Sequence, residues 1–318
     1  MPPETPDKFQ PYTASAEEAD SMRPLTPTEA VEFGIGKKKT EKPKEGSRSL
    51  IEARWLNPET STEQPIEINL EDKLAEFKAF YQDHLGLKID EAEVRSIWQE
   101  NYQEIKKEIE TYGYDSILII PENLPKEEVL NQKLIETMEE TVGNKKKKVA
   151  LTWQSDNFKS SGSFAKVRNS YSSKYRLVLT HSIQNLEDHP ILKATRNMNV
   201  MSVTGLDQAE VNHRITNNKE LTVDCKIEIN GKEIEIKAEG ESLEEYLIQQ
   251  RMYFDKTGGH LDTKNNSYAR LLKSSSDSRV VGAAWYPDVR QLYVYAGDPG
   301  AADARLGLRL SRSFQKLT

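Results

Sequence analysis

The sequence predicts an α+β protein in which a helical region precedes a strand-rich C-terminal half. Between Leu70 and Tyr112, apolar residues recur every three or four positions, which is the period of an amphipathic helix. Between Leu221 and Ala238, two alternating apolar stretches flank Asn230-Gly231. An Asn-Gly pair supplies the positive φ angles of a type I′ turn, so this stretch predicts a β-hairpin.

Length and composition limit the class of protein. The 318 residues are enough for two domains or for one domain with extensions. With 36% apolar and 30% charged residues, we expect a modest core and a strongly solvated surface. The net charge of -7 gives no reason to expect a nucleic-acid partner. A single cysteine excludes an internal disulfide framework.

The sequence contains no targeting or membrane signal. The first ten residues lack the basic and apolar segments of a signal peptide, and no apolar run approaches the ~20 residues that span a bilayer. We therefore expect no membrane span and, by default, a cytoplasmic location. A phage-encoded or unconventionally exported protein would have the same composition.

Residues 1–65 are predicted to be a disordered tail. Nine of the 14 prolines lie between Pro2 and Pro65, mixed with Thr, Ser, Glu and Lys. Such a segment buries too little apolar surface to offset its chain entropy.

A helical accessory region is predicted over residues 66–144. Gly86 ends its first helix and Asp90 caps the second. The second helix carries one apolar stripe, formed by Val94, Ile97, Trp98, Tyr102, Ile105, Ile109 and Tyr112. The stripe fits either a place in the core or docking of a partner or a second copy. Ser116–Ile120 predicts a buried strand and Leu130–Val142 a third helix.

Residues 145–318 are predicted to form a strand-rich domain. Ser242 and Glu245 form a capping box that opens a helix ending before Gly258-Gly259. Besides the Asn-Gly hairpin, strands are predicted at Val149–Trp153, Tyr175–Thr180, Arg279–Trp285, Arg290–Ala296 and Arg305–Ser311.

The sequence gives no positive sign of catalysis. None of the five histidines stands at a metal-ligand spacing, and no phosphate-binding loop, dinucleotide fingerprint or Gly-x-Ser-x-Gly occurs. His181 and His189 lie in one segment with two nearby acids, which leaves a metal site conceivable there. Cys225 alternates with apolar strand residues and is predicted to be a small core residue. We therefore predict no catalytic residue, no metal site and no cofactor.

The C-terminal segment differs in composition from the rest of the chain. From Ser274 to Gln315 there is no Lys, Glu, Met, His, Asn or Cys, so all positive charge is Arg and all negative charge is Asp. The positions between apparent framework residues are Ala, Gly, Val, Tyr and Asp. This mixture is typical of antibody-like binding surfaces, where rigid aromatic anchors stand among small residues. An ordinary polar sheet edge with loops is the alternative.

Strand alternation assigns two faces to this segment. Leu292, Val294 and Ala296 share one face, which we expect to pack inward, and Tyr293 and Tyr295 share the other, which we expect to point outward. In the last strand, a second inward face is predicted for Leu306, Leu308 and Leu310, opposite Arg305, Gly307 and Arg309.

Several short motifs here resemble the C-termini of variable proteins of diversity-generating retroelements. They are Ser278-Arg279-Val280-Val281, Trp285, Gln291-Leu292, Asp298-Pro299-Gly300 and the closing Leu306–Phe314. The resemblance implies a C-type-lectin-like fold of the formylglycine-generating-enzyme type. It also implies that a reverse transcriptase rewrites selected codons near residues 279–312.

By this resemblance, a set of residues is expected to be variable and to bind ligand. The set is Ala283, Ala284, Tyr286, Asp288, Val289, Tyr293, Tyr295, Gly297, Ala301, Ala302, Asp303 and Ala304. Framework roles are expected for Trp285, Leu292, Leu306 and Leu308.

The expected function is that of a non-enzymatic protein whose diversified surface binds an unknown protein or other macromolecule. One alternative is an enzyme of the formylglycine-generating-enzyme fold, which a buried cluster of Asp156, His181, Asp188 and His189 would favour. The other is a structural or host-interaction protein with a fixed C-terminus. A diversified surface does not reveal its ligand.

Overall fold

The computed structural model describes residues 49–142, 144–153, 167–170, 174–263 and 267–316. The chain from Arg48 to Thr318 forms one compact unit that mixes helix and sheet. The α+β class predicted from the sequence is therefore confirmed.

The helices of the described ranges are mostly short. They are α1 (Leu70–Leu85), α2 (Glu91–Tyr112), α3 (Glu127–Leu130), α4 (Pro190–Ala194), α5 (Val200–Thr204), α6 (Gln208–Thr216) and α7 (Leu243–Thr257). A π-helical turn at Asn131–Ile135 continues α3, and a 3-10 turn at Leu186–Asp188 precedes α4.

The strands assemble into two large sheets and two hairpins. The first eight are β1 (Leu50–Leu56), β2 (Glu63–Asn69), β3 (Ser116–Ile120), β4 (Glu139–Val142), β5 (Lys145–Lys148), β6 (Ala150–Trp153), β7 (Arg168–Asn169) and β8 (Arg176–Thr180). The others are β9 (Thr222–Ile229), β10 (Lys232–Gly240), β11 (Tyr268–Ser276), β12 (Arg279–Tyr286), β13 (Gln291–Gly297), β14 (Leu306–Leu308) and β15 (Leu310–Phe314).

One sheet has the order β3-β8-β15-β10-β9, and the other has the order β14-β11-β12-β13-β6 with β7 paired to β11. β3 comes from the region predicted to be a separate helical accessory part, yet it pairs along its whole length with β8. The boundary expected at residues 144 and 145 therefore does not divide the molecule, because a shared sheet joins the two sides.

The expected disordered tail is wrong for residues 50–65. β1 and β2 form an antiparallel hairpin, and Ile51, Ala53 and Trp55 alternate inward from β1. The composition concealed this strand because its outward positions are polar or solvent-exposed while only every second residue is buried. Residues 1–48, the rest of the expected tail, lie outside the described residues.

The caps predicted for the first two helices are confirmed. Gly86, with φ of 69°, follows α1 in the left-handed conformation that glycine adopts without steric cost. The Asp90 carboxylate accepts hydrogen bonds from the backbone amides of Ala92 and Glu93 in the first turn of α2. The apolar stripe of α2 faces the protein's own core, where Trp98 is fully buried. Partner docking through that stripe is therefore wrong, because its apolar side is already covered.

The predicted third helix is also wrong. Only α3 and the π-helical turn are helical, after which Glu139–Val142 forms β4 and pairs with β5. Leu130, Leu134 and Met138 are all buried, so their spacing did mark core positions. Cross-strand pairing with Lys145–Lys148 replaces the last helical turn.

Three local signals in the C-terminal half behave as predicted. Asn230 and Gly231 both have positive φ, at 53° and 74°, and connect β9 to β10. Ser242 and Glu245 form a capping box at the start of α7. Cys225 is buried in β9, as its alternation predicts.

β11 was not predicted, and it contains two buried charged residues, Arg270 and Lys273. Lys273 donates to Glu245 at 3.0 Å and to Glu239 at 3.3 Å. Arg309, between β14 and β15, was expected on an outward face. It is also buried, and its Nε forms an ion pair with Asp262 at 2.9 Å. That expectation is wrong because the buried carboxylate of Asp262 satisfies the guanidinium inside the protein.

Candidate functional site

The candidate site is one face of the sheet that contains β11, β12 and β13. The register places Gly282 opposite Tyr295 and Ala284 opposite Tyr293, so these pairs share a face. Four tyrosines contact one another there and define the tyrosine face: Tyr268, Tyr286, Tyr293 and Tyr295. The opposite face of the same strands carries Val281, Trp285 and Val294, which belong to the hydrophobic core.

The tyrosine rings pack edge to face. Centroids are 4.3 Å apart for Tyr286 and Tyr293, 5.8 Å for Tyr268 and Tyr286, and 5.5 Å for Tyr268 and Tyr295. Each such pair contributes ~0.5–1.5 kcal/mol beyond the area it buries. The rings therefore hold one another in place and form a largely preorganised aromatic surface.

The structure brings most of the residues expected to be variable to this face or its rim. Five lie on the strands of the tyrosine face: Ala284, Tyr286, Tyr293, Tyr295 and Gly297. Ala284 shares this face but is fully buried. The turn between β12 and β13 presents Asp288 and Val289, and Val289 is 52% exposed. The loop between β13 and β14 presents Ala301, Ala302, Asp303 and Ala304.

Ala283 does not belong with them. Its register partner is Val294, it is fully buried, and it belongs to the hydrophobic core. The period of two in β12 places neighbouring Ala283 and Ala284 on opposite faces. The expected ligand-binding role of Ala283 is therefore wrong.

The tyrosines are less exposed than alternation predicted. Tyr293 is only 8% exposed, and Tyr286 and Tyr295 are half-buried. They do lie on the face away from the core, but neighbouring rings cover much of each side chain. Among the expected framework residues, Trp285, Leu292 and Leu308 are buried, whereas Leu306 is half-buried.

The loop between β13 and β14 places a charged pair beside the rings. Arg305 donates to Asp303 from Nη2 at 2.6 Å and from Nε at 3.0 Å. Hydrogen bonds from Arg305 hold the pKa of Asp303 at about 2, so its carboxylate is ionised at neutral pH. The Arg305 guanidinium also lies 5.3 Å from the centre of the Tyr268 ring. This loop can therefore offer both signs of charge next to an aromatic surface.

The turn between β12 and β13 is anchored to the β4–β5 hairpin by Glu140. Arg290 donates from Nε to the Glu140 carboxylate at 2.6 Å, and His260 Nε2 lies 2.7 Å from the other Glu140 oxygen. The His260 ring stacks on Trp285 with 3.4 Å between centroids. The β4–β5 hairpin thus supports the turn that carries Asp288 and Val289.

Three residues of the face were not among the predicted site residues. They are Tyr268, Arg270 and Gly282. Their position depends on the pairing of β11 with β12, and no sequence pattern predicted β11. Only a correct β11 strand and register could have found them.

The histidines of the proposed enzyme cluster do meet, but in the core. His181 and His189 have ring centroids 4.2 Å apart, with Tyr114 packed on the first and Trp55 on the second. Burial lowers the pKa of His181 to about 4 and that of His189 to about 2. Both rings are therefore neutral at physiological pH.

Of the two acids in that cluster, Asp188 is described and does not join the histidine pair. Asp188 accepts a hydrogen bond from the Asn185 side chain at 3.0 Å. Asp156 lies outside the described residues. Among the described residues, no carboxylate hydrogen-bonds either histidine, so the pair lacks the oriented base of a catalytic dyad.

Two further observations concern metals and membranes. No group of three or more His, Cys, Asp or Glu side chains that could hold a metal ion occurs in the described part of the chain. Burial raises the pKa of the Cys225 thiol to about 11, which keeps it protonated. Within the described ranges, no helix combines the length and apolarity needed to cross a bilayer.

Comparison with known proteins adds no relative. No family model, no curated protein and no solved structure matches this chain. The tyrosine face and the composition of the segment that forms it are therefore the features that bear on function.

Proposed function

We propose that this protein is a non-enzymatic binding protein. Its tyrosine face and the two adjoining loops bind a macromolecular ligand. A retroelement diversifies the residues that contact the ligand. The observation that carries the proposal is a coincidence of position. Eleven of the twelve residues assigned as variable from the resemblance lie on this face or in its two rim loops, and Ala283 is the exception.

The chemistry of this surface suits macromolecular recognition. Tyrosine combines a large contact area with few rotatable bonds, so it loses little conformational entropy when a ligand binds. Small residues surround the rings, and Asp288 and Asp303 at the rim supply hydrogen-bond acceptors. Replacing such rim residues changes specificity without changing the sheet beneath, because the core side chains point the other way.

A C-type-lectin-like fold of the formylglycine-generating-enzyme type forms part of the proposal. In its support, the candidate variable residues stand on late strands of a mixed sheet, and buried Trp285 and Leu292 form the framework beneath them. The enzyme alternative has only the buried histidine pair in its favour.

Sequencing the gene from many members of a natural population tests the proposal. We expect substitutions to concentrate at the codons of the eleven positions on the tyrosine face and in its rim loops, and the codon of Ala283, on the core face, to be constant. We also expect a nearby copy of the codons for Ser278–Phe314 that differs only at adenines, together with a reverse transcriptase gene. A locus without the copy and the transcriptase, or substitutions spread evenly over core and surface codons, would contradict the proposal.

A further inference from the structure

Arg270, Gly282 and Tyr295 form a row across three neighbouring strands of the tyrosine face. Arg270 of β11 is the register partner of Gly282 in β12, and Gly282 is the partner of Tyr295 in β13. A Cβ atom placed on Gly282 would lie 2.4 Å from the Tyr295 hydroxyl oxygen. The phenol therefore lies across the glycine, and its hydroxyl points towards the strand that carries Arg270.

The guanidinium of Arg270 is a buried cation that has no buried counterion in the part of the chain that the structure describes. Arg270 is 4% exposed, and it donates hydrogen bonds to the carbonyl oxygens of Met198 and Ala301. Among the described residues it forms no ion pair with a carboxylate. Burial lowers its pKa, opposed by the nearby Tyr295 and Asp303, and Asp303 is already engaged by Arg305.

The hydroxyl of Tyr295 is a buried donor that meets no acceptor within the described ranges. Its oxygen is inaccessible to solvent and has no hydrogen-bond partner among the described residues. A buried hydroxyl that lacks a partner is destabilising, and natural structures rarely retain one without a reason. Two donors, one of them charged, are therefore neighbours at the base of the tyrosine face.

We propose that Arg270 and Tyr295 form an anion subsite that binds a carboxylate group of the protein ligand. The two oxygens of a carboxylate can accept from the guanidinium and the phenol together, and charge-assisted hydrogen bonds of this kind are about twice as strong as neutral ones. This inference rests on the proposed function, since it assigns an acidic side chain or terminal carboxylate to the ligand of that surface.

The loop between β13 and β14 can move aside for a ligand carboxylate. The Ala301 carbonyl now occupies one side of the Arg270 guanidinium, and Ala301, Ala302 and Ala304 are exposed. Alanine side chains give the loop little packing to lose, so a ligand carboxylate can replace the Ala301 carbonyl at modest cost. The charged acceptor is the stronger partner for a guanidinium.

Acetate and its neutral isostere acetamide test the subsite on the full chain. We expect acetate, titrated against chloride at constant ionic strength, to raise the thermal midpoint with saturation, and acetamide to have no effect. Tyr295→Phe should weaken the acetate affinity by about tenfold or more, because it removes a hydrogen bond to a charged group. Arg270→Lys should weaken it as well, since a lysine cannot supply the planar two-point contact.

Tyr114→Phe is the matched control, because it also removes a buried phenol hydroxyl without a partner among the described residues, but beside His181 in the core and away from the row. It should bind acetate as the unchanged protein does. Tyr295→Phe removes only a hydroxyl that has no partner in the described structure. We therefore expect this variant to fold, so the test can be decided even if Arg270→Lys does not fold. Absence of acetate binding, or equal affinity in Tyr295→Phe, would overturn the inference.

The two proposals fail in different ways. If acetate does not bind but natural variation concentrates at the surface codons, the anion subsite is wrong and the diversified binding surface stands. If acetate binds through Arg270 and Tyr295 but the surface codons are constant, the subsite exists without diversification.

Discussion

The indole of Trp55 stacks on the imidazole of His189, with ring centroids 4.7 Å apart and planes 15° apart. Trp55 belongs to the N-terminal hairpin, and His189 lies just before α4 in the other half of the chain. The same indole also lies against Gly113 at the end of α2. The hairpin is therefore part of the common core.

Trp55→Ala should lower the free energy of unfolding by about 3–5 kcal/mol, because it removes a buried aromatic side chain and leaves a cavity. Trp55 is 4% exposed, whereas the next residue of the strand, Leu56, is 58% exposed. Leu56→Ala is the control and should change stability by no more than about 0.5 kcal/mol. Urea unfolding of both variants measures the difference, and equal costs would show that the hairpin does not pack on the core.

Truncation gives a second test of the same contact. A chain that begins at Glu67 should have a thermal midpoint many degrees lower than one that begins at Arg48, because it lacks β1 and the buried Ile51 and Trp55. This reverses the expectation from composition that residues 1–65 are a disordered tail. Similar midpoints for the two chains would restore that expectation.

The buried histidines should make the protein sensitive to mild acid. Burial lowers the pKa of His181 to about 4 and of His189 to about 2, from an ordinary value of 6.5. Below pH 6.5 the unfolded chain binds protons that the folded chain does not, so stability falls as pH falls from 6.5 towards 4. Above pH 6.5 both states carry neutral rings and this contribution is constant.

Urea unfolding at pH 7, 6 and 5 checks the window. His189→Phe should flatten the slope between pH 6.5 and 5, and the exposed His213→Phe should leave it unchanged. A slope in His189→Phe equal to that of the unchanged protein would contradict the assignment. Replacing both buried histidines by Gln should not affect ligand binding, since neither belongs to the tyrosine face.

The sequence predicted the elements whose signals are local. The caps Gly86 and Asp90 and the Asn230-Gly231 turn depend on a few neighbouring residues, and each stands where expected. The strand period of two also assigned Tyr293 and Tyr295 to one face, which is half of the candidate site.

What the sequence missed depends on partners far along the chain. β11 contains Arg270 and Lys273, and both are buried because carbonyl and carboxylate groups from distant segments satisfy them. No periodicity within β11 reveals those partners. Arg309 was assigned outward for the same reason, since only the folded chain brings Asp262 to it.

The close approach of Gly282 and Tyr295 predicts a coupled pair of substitutions. Gly282→Ala should destabilise the protein by roughly 1–3 kcal/mol, because its new Cβ would overlap the phenol ring. In a Tyr295→Ala background the same change should cost much less, giving a coupling energy of about 1 kcal/mol or more. Gly297→Ala is the control, since its Cβ would meet Tyr295 at an ordinary 3.4 Å. Additive costs for Gly282→Ala and Tyr295→Ala would show that the ring does not lie over the glycine.

The two faces of β13 and its neighbours should respond differently to truncation. Leu292 is 1% exposed on the core face, so Leu292→Ala should cost about 2–5 kcal/mol. Tyr286 is half-buried among the other rings, and Tyr286→Ser should cost clearly less in stability. In binding the order should reverse. A lost aromatic anchor can cost about 2 kcal/mol or more of affinity, whereas Leu292 lies beneath the surface and does not contact ligand.

Denaturant midpoints of the two variants measure the first contrast, and their affinities for a ligand selected on the unchanged protein measure the second. Val289→Ala, at an exposed rim position, is the control for stability and should leave the midpoint within error. If Tyr286→Ser unfolds as readily as Leu292→Ala, the ring is a core residue and the tyrosine face is not a display surface. If both variants bind equally well, the ligand binds elsewhere. A rigid framework beneath a replaceable contact surface requires both results together: Leu292→Ala must cost more stability than Tyr286→Ser, and Tyr286→Ser must cost more affinity than Leu292→Ala.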